Sequence, residues 1–382
     1  MKKSLFMLAV AAAALSSCVK SQVVEVADNM AIGFDTYVGK HTRSTTVVIN
    51  GRSDLKTFYV FGNAKAADQS TEEVFDLQKV YWSGTNAQDG HYEYNNGVST
   101  MWETNKTYYF AAVSNGNAIL DDTDPDPDPA YDPNYDVNVA YTYAGGAGDA
   151  NKLTITNYTV NDKDLIVDIA DPIESLESMT GKETVTFDFR HLLTRVRFVV
   201  NNGDALGSNS IVAVEDLKFT GTKTADCDYT WTNSNTHNIS WTDPAPGEYN
   251  YTPSTVDPST TNGQAYIITP SSNKSFGKFV IPQLNQNVQV SFSLVTYKEE
   301  TDGSYTETNR VNHTYPLTYD NDTNPNDDKH DYNWHAGKVY QYTVTVAGTI
   351  NYIRFDANVA AWNFDLDGNG TANTDDDIIM SN

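Results

Sequence analysis

Residues 288–294 read Val-Gln-Val-Ser-Phe-Ser-Leu. In an extended chain Val288, Val290, Phe292 and Leu294 fall on one side and Gln289, Ser291 and Ser293 on the other, the two-residue period of a half-buried β-strand. Tyr340, Tyr342, Val344 and Val346 alternate with Gln341, Thr343 and Thr345 in the same way. Val185-Thr-Phe187-Asp-Phe189 and Arg195-Val196-Arg197-Phe198-Val199-Val200 repeat the pattern, while helical periodicity is almost absent. Between these segments stand Asn95-Asn96-Gly97, Asn201-Asn202-Gly203 and Asp302-Gly303, residues that tolerate the left-handed backbone of tight turns. Short alternating strands separated by turn signals predict an all-β chain of antiparallel β-sandwiches.

A chain of 382 residues has room for two such domains at roughly 100–200 residues each. The net charge of −25 argues against a nucleic-acid partner, because binding a polyanion requires a basic face. Aromatic residues at 12% supply core material that a disordered acidic chain lacks. Residues 1–17 have the parts of an export signal: Lys2 and Lys3, an apolar run from Leu5 to Leu15, then small residues. Leu15-Ser16-Ser17-Cys18 resembles a bacterial lipobox, which makes Cys18 the expected acylated N-terminus and a lipid the expected attachment to a membrane surface. The only other cysteine is Cys227, so lipidation of Cys18 leaves no intrachain disulfide. Beyond the leader, no stretch approaches the ~20 apolar residues of a membrane-spanning helix.

The expected organisation is a leader (1–17), a lipidated tether (18–27), an N-terminal sandwich (28–180), a C-terminal sandwich (181–364) and an acidic tail (365–382). The run Asp121 to Asp136 carries too many prolines and carboxylates to join a sheet and reads as an extended loop.

Four segments in order also resemble one family. They are the lipobox; Ile32-Gly-Phe34-Asp-Thr36-Tyr with Thr42-Arg43; Thr186-Phe-Asp-Phe-Arg-His-Leu-Leu-Thr-Arg-Val-Arg-Phe198; and Trp334-His-Ala-Gly-Lys-Val-Tyr-Gln-Tyr-Thr-Val344, followed by Ile353-Arg354-Phe355 and Trp362. Together they resemble the fimbrillins, the type V pilins of Bacteroidia-type outer membranes. The resemblance implies two transthyretin-like antiparallel β-sandwich domains in tandem, in a lipoprotein pilus subunit (stalk, accessory or tip) that serves cell adhesion. It further implies that an Arg-specific protease removes the first strand, here Ile32, Phe34, Thr36 and Val38, and that a strand of another pilin subunit fills the groove. Arg43 is the first candidate for the cut and Arg52 the second. The exposed backbone and apolar groove of a sheet missing one strand supply the driving force.

The tail Asp365-Leu-Asp367-Gly-Asn369-Gly370-Thr371-Ala-Asn373-Thr-Asp375-Asp376 sets oxygen ligands at positions 1, 3, 5, 7, 9 and 12 of a loop with glycine at 6. Asp365, Asp367, Asn369, Thr371, Asn373 and Asp376 are thus candidate Ca²⁺ ligands, against the alternative of an acidic tail without metal. No cofactor is otherwise required. Such a tail makes a poor donor strand, which leaves Thr349 to Phe364 as an alternative donor.

No His-Glu-x-x-His, Gly-x-Ser-x-Gly, Cys-x-x-Cys or phosphate-binding glycine loop occurs, so catalysis is not expected. His191 and His335 lie beside predicted strands and read as structural. The alternative function is a surface glycan-binding lipoprotein whose partner is a host or bacterial glycan or protein. Trp82, Trp231 and Trp241 adjoin turns and are its candidate sugar platforms, whereas Trp102, Trp334 and Trp362 read as core.

Overall fold

A computed structural model describes residues 31–38, 55, 57–83, 91–94, 99–115, 137–143, 151–161, 163–175, 184–203, 210–233, 236–268, 273–322, 330–347, 350 and 353–361. Their regular structure is strand apart from one four-residue helix, α1 (Thr261–Gln264), capped by the Thr260 side chain. The all-β reading therefore holds. No helix among the described residues is long and apolar enough to cross a membrane.

The first sheet contains β1 (Gly33–Val38), β2 (Thr57–Ala66), β3 (Thr71–Trp82), β4 (Tyr92–Glu93), β5 (Lys106–Ser114), β8 (Ile166–Ile169), β9 (Ile173–Ser175) and β10 (Thr184–His191). Its order is β1-β10-β8-β5-β2-β3-β4, with β9 paired to β5. β10 shows why alternation makes a strand: Val185, Phe187 and Phe189 are buried while Thr184, Thr186 and Asp188 are exposed. The central strands behave differently. Phe58 to Phe61 on β2 and Phe110 to Val113 on β5 are buried on both faces, so they read as continuous apolar runs. Phe58, Val60, Phe110 and Ala112 enter one core, and Tyr59, Phe61, Ala111 and Val113 enter another.

That second core is closed by β6 (Asn138–Thr142), β7 (Asn151–Thr159) and the long β12 (Ser210–Asn233). β12 belongs to two assemblies. Its later half pairs with β7 and with β13 (Thr236–Asn250), and its earlier half pairs with β14 (Ile267–Ile268) and β16 (Gln289–Glu299), which carries β17 (Tyr305–Pro316). The change of partner falls near Asp216, a left-handed residue (φ 53°) beside the register shift between Glu215 and Lys218. Opposite the earlier half lies a four-stranded sheet, order β15-β11-β18-β19, of β11 (Thr194–Gly203), β15 (Lys274–Val280), β18 (Lys338–Ala347) and β19 (Ile353–Ala361). Trp334, fully buried, donates from Nε1 to the Tyr342 hydroxyl at 3.0 Å, and Phe219 packs on its ring at 5.5 Å between centroids.

The strand pattern departs from sequence expectation in two places. The boundary expected at 180/181 does not divide the sheets, since β10 lies beyond it yet belongs to the first sheet, and β6 and β7 lie before it yet pair with the β12 assembly. The chain leaves the first sheet between β10 and β11, at the fully buried Leu192-Leu193. Asn201-Asn202-Gly203, read as a turn, continues β11, because parallel pairing with Thr345 to Ala347 extends the ladder through it. Asp302-Gly303 does turn the chain between β16 and β17, with Gly303 at φ 81°.

Candidate functional site

The site that the sequence singles out is β1 and the groove beneath it. β1 is the outer strand of the first sheet among the described residues and pairs with β10 in parallel, from Gly33 opposite Thr184 to Val38 opposite Phe189. Parallel pairs are slightly weaker per residue than antiparallel ones, and an outer strand is bonded along one side only. Its side chains are nevertheless deeply placed, with Ile32, Phe34 and Thr36 at 1%, 6% and 2% exposure. Phe34 sits in an aromatic slot, its ring centroid 5.4 Å from Phe75 and from Tyr94, and 6.1 Å from Phe110 and from Phe187. Burying an Ile and a Phe side chain contributes about 1.5–3 kcal/mol each.

Polar contacts fix the register of the strand. The Ile32 amide donates to the Thr100 carbonyl at 2.8 Å, and the Tyr94 hydroxyl donates to the Ile32 carbonyl at 2.7 Å. Burial raises the pKa of the Tyr94 phenol, keeping it a donor. The Tyr92 hydroxyl gives its hydrogen to the Leu55 carbonyl at 2.9 Å and so accepts from Thr36 Oγ1, also at 2.9 Å. These two tyrosines were not legible as site residues, because Tyr92-Glu-Tyr94 precedes Asn95-Asn96-Gly97 and reads as the edge of a turn. The signal was the tyrosine pair two residues apart, which puts both rings on one side of an extended segment.

Ile32, Phe34 and Thr36 are thus brought together, with Val38 at the strand's end. Cys18, Arg43, Arg52, Trp362 and the candidate calcium ligands Asp365, Asp367, Asn369, Thr371, Asn373 and Asp376 lie outside the described residues, as does Asp121 to Asp136. Part of the alternative donor segment is β19, antiparallel to β18 on the edge of the four-stranded sheet. Ile353, Phe355, Ala357 and Val359 pack half-buried against the core; Phe355 stacks on Tyr315 at 4.9 Å.

The tryptophans divide differently from a sugar platform. Trp102 and Trp334 are buried, and Trp82, Trp231 and Trp241 are half-buried, packed on core residues. Trp82 meets the Tyr92 ring edge-on at 5.0 Å, and Trp241 lies 6.0 Å from Tyr158. His191 Nδ1 is 2.7 Å from the fully buried Asp164 carboxylate, and His335 Nε2 is 2.6 Å from Asp331. Cys227 is buried on β12, and desolvation pushes its thiol pKa up.

No family model and no curated protein matches the chain. Solved structures similar to it include a fimbrial protein from Bacteroides vulgatus, at 16% identity and TM-score 0.46 over 87% of this chain and 100% of that one. A candidate cell adhesion protein from Bacteroides uniformis is 15% identical with TM-score 0.43, over 88% of this chain and 98% of that one. The fimbrial anchor protein Mfa2 from Porphyromonas gingivalis is 10% identical with TM-score 0.30, over 87% and 97% respectively.

Proposed function

We propose that this chain is a fimbrillin-like pilus subunit that becomes competent to polymerise when β1 is cut away. The observation that carries the reading is the position of β1: an outer strand, its backbone laddered to β10 and tied elsewhere at its start through Ala31 and Ile32 among the described residues, whose Phe34 fills a slot lined by four other aromatic rings. Removing it leaves β10 with unpaired backbone groups beside an empty apolar groove, and an incoming strand with alternate apolar side chains satisfies both. In this reading Cys18 is acylated and holds the chain on the outer membrane and cell surface. An Arg-specific protease cuts at Arg43, or at Arg52, and the donor comes from another pilin subunit. β19, with Ile353, Phe355, Ala357 and Val359 in alternation, has the pattern a donor needs.

Limited digestion of unlipidated protein with an Arg-specific protease tests the reading. A single amino-terminal cut followed by detergent-resistant ladders is expected, and the double variant Arg43→Ala/Arg52→Ala should stay intact and monomeric. A cut chain that remains a folded monomer at high concentration would sink the proposal. Cys18→Ser should release the precursor from membranes. The Ca²⁺ proposal for Asp365 to Asp376 rests on ligand spacing; a chelator that leaves tail proteolysis unchanged would remove it.

A further inference from the structure

The first sheet carries a second site, on the face opposite the β1 slot. Where β6 and β7 stop covering that face, an open cleft of about 300 Å³ remains, at the lower limit of small-ligand pockets. Its floor is one cross-strand row: Lys65 on β2 lies opposite Thr107 on β5, which lies opposite Glu174 on β9. Gln69 from the β2–β3 turn and Asn105 from the entry to β5 form the rim. Tyr109 forms a wall, its ring 5.4 Å from Tyr143.

Two features separate this cleft from ordinary surface. First, most of its polar side chains are unspent, Lys106 and Ser175 being the exceptions. Among the described residues Lys65 and Glu174 have no ion-pair partner, and the Asn105 and Thr107 side chains have no hydrogen bond; the Gln69 amide makes one long contact, 3.4 Å to the Ala67 carbonyl. Lys106, also in the lining, shows the contrast, being held by Glu103 at 2.7 Å and by Glu72. Second, both rim residues are left-handed, with φ 69° at Gln69 and 61° at Asn105. Glycine is the low-cost residue for such a backbone, and a glutamine there has no local advantage. The turns enforce it through Ala66 N–H to Ser70 O at 2.9 Å and Asn105 N–H to Ser175 O at 2.8 Å, and both residues line the one cleft.

We infer that this cleft binds a neutral saccharide of mono- to disaccharide size. With the Lys106 ammonium neutralised by Glu103 and Glu72, the Lys65 ammonium, the Glu174 carboxylate, two carboxamides and the Thr107 hydroxyl offer both donors and acceptors, which suits hydroxyl groups that do both. Glu174, in a chain of net charge −25, disfavours an acidic ligand, and Lys65 disfavours a cation. The half-buried Tyr109 ring supplies an apolar face for the C–H side of a pyranose, and burial with Glu174 nearby raises its phenol pKa and so keeps it protonated. The inference does not depend on strand replacement.

Isothermal titration and saturation-transfer NMR of the full chain, with maltose, cellobiose, lactose and mannobiose against sialyllactose, test it. Saturable millimolar or tighter binding of at least one neutral disaccharide is expected. Glu174→Ala, at an exposed position, should weaken it by about tenfold. Gln69→Gly should also weaken binding while leaving the melting temperature unchanged or higher, which a merely structural glutamine would not do. Absence of binding by every neutral disaccharide, preference for sialyllactose, or affinity unchanged in both variants would overturn the assignment.

Discussion

The two outer strands that flank the described chain, β1 and β19, solve the edge of a sheet in opposite ways. β1 pairs in parallel over six residues and drives Phe34 into a closed aromatic slot; β19 pairs antiparallel over nine and rests Phe355 half-buried on Tyr315 and Tyr342. The first is weak in its backbone ladder and strong in side-chain burial, the second the reverse. Attachment by side chains into a slot is the kind that another strand of suitable pattern can take over, whereas attachment by a long ladder must be peeled.

The largest separation between the two edges should come from truncating their aromatic anchors. Phe34→Ala should cost about 3–5 kcal/mol, since it empties a buried slot, and should speed proteolysis between 39 and 54. Phe355→Ala, at a half-buried site, should cost about 1–2 kcal/mol by the same urea titration. Equal losses would break the comparison.

The next contrast is in pH. Asp168, on β8 beside β10, is buried and accepts from the Asp188 amide at 2.7 Å; desolvation raises its pKa to about 7. The native state therefore holds this proton more tightly than the unfolded chain does. The stabilisation is full below the ordinary carboxylate range and is lost as pH rises toward 7, on the order of 2–4 kcal/mol in all. Amide exchange along β1 and β10 should quicken between pH 5 and 8 relative to β18 and β19, after correction for intrinsic rates. Asp168→Asn, which keeps the acceptor, should flatten the difference. Identical pH profiles for the two proteins would refute this.

A smaller effect should follow Gly62→Ala. A Cβ at Gly62 would stand 2.7 Å from the Phe75 ring and 3.0 Å from Phe110, both of which line the Phe34 slot. Overpacking there should cost about 1–3 kcal/mol and loosen β1 while leaving β19 exchange unchanged.

Local chemistry made much of the fold legible. Val185, Phe187 and Phe189, or Tyr340, Tyr342 and Val344, announce their buried face by alternation alone, and Gly303 announces its turn. Partnership was not legible, because β1 meets β10 across most of the first sheet's sequence and nothing in either strand's own period names the other. For the same reason β10 looked like the start of a second domain: its alternation is as clear in one sheet as in another. Phe34 was readable as an inward residue; Tyr92, Tyr94 and Thr100 were not, since their role depends on a fold that returns them to β1. The cleft was invisible, as its row is assembled from three separated strands.

The continuity of β12 bears on how the molecule would carry load. With one half laddered to β16 and the other to β7 and β13, tension along that strand loads both ladders in shear, with the irregularity at Asp216 as the point where they meet. Such a strand ties the two assemblies together, so a pull along it should load both at once.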